Sequence, residues 1–392
     1  MPPIEETPTF IEDLALRMVP DPPPTEPVPD RCTRRELVQL MRPIERGVIL
    51  RGALAGALCG LATYWGFVTA EPLYLDVHDG SPWWTNWAFH SVSLGIAIFA
   101  TIIEVTYLYY DGIRGALALG RLSRDATRGR PSNPERLRRA LVRAGLEISD
   151  QRRPLHGIDP LQETSRWRLA IFTGAYKLKV TASNFVIKAL VRRFANRILG
   201  RSVGRSIVEM VAIPVFAAWN AWVCGTIMMQ ARVRAMGQPL IDELFELAFP
   251  HGVGAIPRHL QQACFLAIRE QVVRSAGFHH NMVLMAHRFM DEATEAIHTQ
   301  EDLPKDLSTC IKTLSTEERA AVMEFFIALC ALDGRVWRWE KRKLKILLSE
   351  VDLKTDAGQL KKYRKVVRTG YPLKEVAGNR MNFHAILPKK TA

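Results

Sequence analysis

The sequence predicts an all-α protein with a transmembrane helical hairpin, a cytoplasmic helical region and a C-terminal helical bundle. Residues 52–70 and 87–110 are apolar runs of the length that an α-helix needs to cross a hydrocarbon core of about 30 Å. Much of the remaining chain spaces its apolar residues three or four positions apart, as amphipathic helices do. The chain of 392 residues is long enough for two or three domains.

The N-terminal residues 1–30 are acidic and proline-rich. We predict a disordered tail, because such a composition buries too little apolar surface to order itself. Residues 10–18 are weakly amphipathic, and a docking peptide is the alternative for them. No signal peptide is predicted, since no basic start leads into an apolar core with a cleavage site. The formal net charge of +13 suits an anionic partner, and the hairpin favours lipid over nucleic acid.

The hairpin region covers residues 31–123, with spans predicted at about 48–70 and 87–110. Arginines precede the first span and follow the second, whereas the loop between the spans carries acids and neither Lys nor Arg. Positively charged residues remain on the cytoplasmic side, so the N- and C-termini are both predicted to be cytoplasmic. Tryptophans at the outer end of the second span and tyrosines at its inner end are typical interfacial anchors.

Two features inside the hairpin predict helix contacts. Gly52, Gly56 and Gly60 form a face that lets another helix approach closely, either the second span or another copy of the chain. Glu104 is the one acid within a span, and leaving it without a partner would cost about 2.5 to 3.5 kcal/mol. Because Arg51 lies at a similar depth, we expect Arg51 and Glu104 to form an intramembrane pair. An ion or proton relay through Glu104 is the alternative.

Residues 135–237 are predicted to form a basic, membrane-proximal helical region. Its arginine-rich faces suit an anionic inner leaflet, at about 1 kcal/mol of attraction per residue, although a solvated face is equally compatible. Residues 211–229 are apolar and long enough to be a third span, but arginines flank both ends. We therefore predict a helix that is buried in the cytoplasmic part or set partly into the bilayer, with spanning as the alternative.

Residues 255–392 are predicted to form a soluble helical bundle. Its best-marked helix begins at Ser315, which forms a capping box with Glu318, and ends at Asp333 and Gly334. An acidic face on an earlier helix could supply metal ligands, although a solvated face is favoured for it; its residues are His287, Asp291 and Glu295.

Residues 328–348, ALCALDGRVWRWEKRKLKILL, resemble the helix, Asp-Gly turn and acid-bearing helix of the TerB-like tellurite-resistance domains. Asp333 and Glu340 stand on the matching positions, and their carboxylates are hard oxygen ligands suited to Ca²⁺ or Mg²⁺. A turn that only ends a helix is the alternative for Asp333.

Residues 104–237 resemble a family of bacterial membrane proteins of unknown activity that carry such a domain at the C-terminus. The motifs are EVTYLYYDGIR, GIDPLQE, YKLKVTASNFVIKALVRR, IPVFAAWNAWV and QARVRAMG. This resemblance implies a bacterial inner-membrane location and supplies no catalytic residues.

The chain contains no Walker, HExxH or GxSxG sequence and no complete dinucleotide-binding fingerprint. We therefore expect no enzyme and no cofactor other than a divalent cation at Asp333 and Glu340. The predicted function is a membrane-anchored helical module for stress signalling or scaffolding, with a protein partner or a second copy bound through the glycine face. A transporter or channel component that uses Glu104 and the helix at 211–229 is the alternative.

Overall fold

The computed structural model describes most of the chain, namely residues 9–20, 32–73, 87–126, 133–148, 153–162, 213–275, 277–294, 297, 304, 306–335, 338–350, 358–378 and 380–386. About 80% of it is helical, and the described residues contain no strand. The all-α prediction is therefore confirmed. The amphipathic helices predicted within residues 167–201 lie outside the described residues.

Thirteen helices are named within the described residues. They are α1 (Phe10–Met18), α2 (Arg34–Ala70), α3 (Trp87–Ala126), α4 (Pro134–Gly145), α5 (residues 213–235), α6 (Gly237–Ala248), α7 (Arg258–Ser275), α8 (His280–Glu292), α9 (Leu307–Lys312), α10 (Thr316–Ala331), α11 (Arg338–Glu350), α12 (Gly358–Thr369) and α13 (Lys374–Ala377). Short 3₁₀ turns lie at Glu71–Leu73 and Val253–Ala255.

The chain divides into two compact units. The first unit comprises residues 44–115 and 165–228 and is called the three-helix unit after the three helices described in it; the bundle unit comprises residues 1–43, 116–164 and 229–392. The sequence predicted consecutive regions instead, with boundaries in the loops between helices. The boundaries fall inside α2, α3 and α5, because the start of α2 and the ends of α3 and α5 belong to the bundle unit.

One ion pair shows how the start of α2 belongs to the bundle unit. Arg34 contacts Glu243 of α6 at 2.7 Å, and Glu243 also accepts a hydrogen bond from the backbone N–H of Leu373 at 2.6 Å. The Arg34 guanidinium is almost fully buried. Gly370 has a φ of +75°, which favours glycine, and it also fits closely here, because a Cβ on it would lie 2.6 Å from the carbonyl oxygen of Arg34.

Within the three-helix unit, α3 runs antiparallel to α2. A Cβ on Gly66 of α2 would lie 2.8 Å from Ile96 of α3, and at the other end a Cβ on Gly115 of α3 would lie 2.7 Å from Val48 of α2. The same position on Gly115 lies 3.1 Å from the sulfur of Met228 in α5. The three helices therefore meet at the end that holds Val48, Gly115 and Met228.

The glycine face of α2 packs against α5. A Cβ on Gly56 would lie 2.6 Å from the carbonyl oxygen of Phe216, and one on Gly60 would lie 3.1 Å from the Cα of Ile213. Gly52 meets Cys224 in the same way. Within the described residues, the glycine face meets residues 213–224 of the same chain rather than the second span. Binding of a protein partner or another copy through this face stays a prediction.

The helices α2 and α3 are long and apolar enough to cross a membrane. In the most apolar window of each, only 28% of α2 and none of α3 is buried inside the protein. Large apolar side chains point outward along both helices, including Leu58 and Trp65 of α2 and Phe99 and Ile102 of α3. A core helix of a soluble protein would bury most of this surface.

The core of the bundle unit is built around α7 and α10. Helix α10 packs against both α7 and α12, and α6 packs against α8. Aromatic rings fill the centre, where Phe249 stacks on Phe383 with ring centroids 5.3 Å apart and meets Phe325 edge-on. The predicted capping box at Ser315 and Glu318 is present at the start of α10.

The predicted disordered tail is wrong for residues 10–18, which form α1. The Thr9 side chain caps this helix, and Glu12 is fully buried in an ion pair with Arg143 of α4. Burial acts to raise the pKa of Glu12, but hydrogen bonds from Arg143 and Thr9 and the charge of Arg143 outweigh it and hold that pKa below its usual value. The alternative of a docking peptide describes α1 better.

Candidate functional site

The polar side chains of the three-helix unit form the first candidate site. Asn220 of α5 is buried, and its amide nitrogen donates a hydrogen bond of 2.5 Å to the carboxylate of Glu104 in α3. Asn220 is held there by the glycine face, because its amide lies 2.7 Å from the position that a Cβ on Gly56 would take. The amide thus gives Glu104 a hydrogen-bond partner that does not carry a charge.

Arg51 pairs with a different acid from the one that we predicted. Its Nε lies 3.1 Å from both carboxylate oxygens of Asp111, and its Nη2 lies 3.0 Å from Oδ1. Such a forked contact is the favoured geometry of an arginine and a carboxylate. The predicted pair of Arg51 and Glu104 is therefore wrong. Asp111 lies two helical turns beyond Glu104, near the end of the three-helix unit where Val48 and Met228 meet Gly115.

The two polar contacts differ in charge and in their position along α3. The Arg51 and Asp111 contact is an ion pair between α2 and α3 at one end of the three-helix unit. The Glu104 and Asn220 contact lies about 10 Å further along α3, since the helix rises 1.5 Å per residue. The sequence analysis chose a partner for Glu104 only by its depth in the hairpin. It did not place α5 beside the hairpin, and so Asn220 was missed.

The divalent-cation site at Asp333 and Glu340 stays a prediction. Asp333 lies in the turn after α10, where its Oδ1 accepts the backbone N–H of Arg335 at 2.7 Å and Gly334 has a φ of +68°. This is the predicted helix-ending turn. The side chain of Glu340 lies outside the described residues. No group of three or more potential metal ligands occurs among the described residues.

His287, a member of the predicted acidic face, contacts a second histidine instead. Its Nδ1 lies 2.9 Å from Nε2 of His156, which stands in a tight turn with a φ of +49°. Burial lowers the pKa of His287 to about 4, and the charges of Arg136 and His156 add to the effect. The imidazole is therefore neutral at physiological pH. Asp291 is exposed, and Glu295 lies outside the described residues.

A shallow apolar cleft lies along the three-helix unit. It has a volume of about 410 Å³ and is lined almost entirely by carbon atoms of Leu58, Leu61, Ala62, Trp65, Gly66, Thr69 and Ile96. Such a lining offers no group that would orient a polar substrate. It is suited to an acyl chain.

No protein-family model, curated protein or solved structure matches this chain.

Proposed function

We propose that the chain is a non-enzymatic, membrane-anchored helical module whose three-helix unit lies in a lipid bilayer. The outward-facing apolar surface of α2 and α3 carries this proposal. Trp65 is 68% exposed and Phe99 is 67% exposed, in windows where little or nothing is buried by the protein. Exposed apolar surface of this kind is stable in hydrocarbon, whereas in water it promotes aggregation.

The packing of α5 supports a cytoplasmic C-terminus. Because α5 runs antiparallel to α2 and parallel to α3, its C-terminal end at Met228 lies at the end of the unit that holds Val48 and Gly115. Arg46 and Arg114 neighbour these two residues in the sequence, and basic residues mark the cytoplasmic side. On this proposal the end of α5 is therefore cytoplasmic, and so is the chain that follows it.

The topology can be tested with a membrane-impermeant maleimide in intact bacterial cells. A background with Cys32→Ser removes the one native cysteine that is not buried. In it, Leu73→Cys should be labelled in intact cells, whereas Arg35→Cys and Lys361→Cys should be labelled only after permeabilisation; all three positions are exposed. Equal labelling of all three in intact cells would contradict the topology, and so would labelling of Lys361→Cys alone.

The role of the module rests on the resemblance to TerB-like domains, which suggests stress signalling or the scaffolding of partners by the bundle unit. A divalent cation held by Asp333 and Glu340 would be the signal on that proposal. Calorimetry of the full chain with Ca²⁺, Mg²⁺, Mn²⁺ and Zn²⁺ tests the cation directly. Absence of heat with every ion, or heat that Asp333→Ala leaves unchanged, would exclude it.

A transporter or channel component is the second candidate, and the contact of Glu104 with Asn220 inside the three-helix unit favours it. A transported cation or proton would compete with the Asn220 amide for the Glu104 carboxylate. Proteoliposomes that hold the full chain distinguish the two functions. Ion flux that falls in Glu104→Gln would favour transport, and flux equal to that of empty liposomes would favour the module.

A further inference from the structure

Helix α1 presents its apolar side chains to the outside of the bundle unit. Six large apolar side chains are exposed among the described residues of this unit, and four of them lie on α1, a helix of nine residues. The four are Phe10, Ile11, Leu14 and Met18, of which Phe10 is 81% exposed. At 3.6 residues per turn they lie within an arc of about 100° and form one stripe along the helix. This stripe is called the α1 face.

The buried side of α1 explains why this face points outward. Glu12 is fully buried in its ion pair with Arg143 of α4, and Ala15 is buried as well. Arg138 of α4 donates a hydrogen bond of 3.4 Å to the backbone carbonyl of Leu16. A helix on a protein surface in water normally turns its apolar stripe inward and its acids outward. The ion pair holds the opposite orientation here, because burying the α1 face would separate Glu12 from Arg143.

The α1 face is too small to form a protein interface by itself. A helix of nine residues is about 14 Å long and about 10 to 12 Å across, so one side of it offers on the order of 200 Å². A standard protein interface takes about 800 Å² from each partner. A lipid surface needs no complementary shape, because an amphipathic helix lies in the plane of the bilayer interface with its apolar side chains among the acyl chains.

The chain connects α1 to the proposed bilayer by a short tether. Helix α1 packs on α4, and α4 packs on α3 at Gly120, where a Cβ would meet the side chain of Leu141. Gly120 follows Gly115, the last residue of α3 in the three-helix unit, by five positions. Five residues span at most about 18 Å even when fully extended. The tether thus allows the α1 face to reach the surface of a bilayer that holds the three-helix unit.

We propose that the α1 face binds the lipid interface, so that α1 lies in the plane of the membrane surface as a second lipid contact of the chain. This inference rests on the proposed location of the three-helix unit in a bilayer. The four apolar side chains enter the boundary between headgroups and acyl chains. Asp13 and Arg17, which form an ion pair of 2.8 Å on the neighbouring side of the helix, remain at the level of the headgroups. The buried pair of Glu12 and Arg143 keeps this orientation.

Fluorescence quenching tests this contact in the full chain, reconstituted into phosphatidylcholine liposomes. In a Cys32→Ser background the other native cysteines are buried, so one introduced cysteine carries the fluorophore. Leu14→Cys reports on the α1 face, and Asp13→Cys, about 100° around the same helix, is the matched control. Lipid with a spin label high on its acyl chain should lower the emission at Leu14→Cys at least about twofold, whereas aqueous iodide should have little effect. The label at Asp13→Cys should respond mainly to iodide.

A label at Phe99→Cys in α3 tests the proposed function separately, since spin-labelled lipid should quench it if the three-helix unit lies in the bilayer. Quenching by lipid at Phe99→Cys, together with quenching by iodide alone at Leu14→Cys, would overturn the inference about α1 and leave the proposed function standing. Protection of the label at Leu14→Cys from both quenchers would show that a protein surface, such as a second copy of the chain, covers the α1 face, and would overturn the inference too. Absence of lipid quenching at Phe99→Cys would contradict both.

Folding of each labelled chain is checked by circular dichroism. Leu14 is exposed, so its replacement leaves the ion pair of Glu12 with Arg143 in place. If the Leu14→Cys chain does not fold, Met18→Cys takes its place, because Met18 is 65% exposed on the same face. Quenching by lipid is then expected at Met18→Cys, and quenching by iodide alone would overturn the proposal.

Discussion

Replacing Gly56 by alanine should destabilise the three-helix unit. The added Cβ would lie 2.6 Å from the carbonyl oxygen and 2.8 Å from the carbonyl carbon of Phe216. Both are backbone atoms, so α2 and α5 must move apart by about 0.8 Å to reach ordinary contact. The amide of Asn220, 2.7 Å from the same position, must move as well and with it the hydrogen bond to Glu104.

The magnitude follows from three opposing contributions. Overpacking of a close contact costs about 1 to 3 kcal/mol. Loss of an interhelical hydrogen bond in a membrane costs about 0.6 kcal/mol on average. Alanine has a higher helix propensity than glycine, which returns up to about 1 kcal/mol. We therefore expect Gly56→Ala to lower the free energy of unfolding by roughly 1 to 3 kcal/mol.

Gly95 in α3 supplies the matched control, since a Cβ there would meet nothing within 4 Å. Gly95→Ala should leave the free energy of unfolding unchanged or raise it by up to about 1 kcal/mol. The assay is equilibrium unfolding of the full chain in mild detergent by added dodecyl sulfate, followed by circular dichroism. Equal stability of the two variants would refute the close packing of α2 on α5.

Three further predictions follow from single contacts. Gly52→Ala should lower the free energy of unfolding by about 1 to 3 kcal/mol, because the added Cβ would lie 3.3 Å from the Cβ of Cys224 and closer still to its sulfur; a variant as stable as the parent chain would contradict this. Glu243→Gln should cost about 3 kcal/mol in a thermal unfolding assay by leaving the buried Arg34 without its charge partner, and an unchanged midpoint would refute it. Stability should fall as the pH drops from about 6.5 to about 4, because the unfolded state protonates His287 before the folded state does. The loss should be about 1 to 2 kcal/mol, since the partly exposed site is screened. His287→Gln should make the loss of stability over this pH range smaller by about that amount, and an unchanged loss would show that other groups cause it.

The parts of the fold that local signals specify could be predicted from the sequence. Apolar length predicted α2 and α3, and the capping box predicted the start of α10. The spacing of Gly52, Gly56 and Gly60 predicted a packing face, because three glycines on one side of a helix leave room only for a close neighbour. These signals lie within one helix and do not depend on the rest of the chain.

The partners could not be predicted, because they are separated by long stretches of sequence. Because arginines flank both ends of residues 211–229, we predicted that this helix is buried in the cytoplasmic part or set partly into the bilayer. Helix α5 was therefore not considered as the neighbour of the glycine face. Asp111 lies one residue beyond the predicted end of the second span, and so Glu104 was taken as the only acid available to Arg51. Both errors concern which elements meet, which composition and periodicity do not encode.

The docking of α1 was missed for a different reason. Composition over residues 1–30 averages a proline-rich stretch with the short helix, and the average predicts disorder. The contact that orders α1 is the ion pair of Glu12 with Arg143, which lies more than 130 residues away. A local capping signal at Thr9 and Glu12 was present in the sequence and could have identified the start of the helix.

The most direct test of the account is whether lipid is the solvent of the three-helix unit. The full chain, made in a detergent-free translation mix with preformed liposomes, should float with the liposomes in a density gradient and resist extraction with alkaline carbonate. Without liposomes the same chain should aggregate through the apolar surface of α2 and α3. A chain that stays monodisperse without lipid and remains in the dense fraction when liposomes are added would contradict the account.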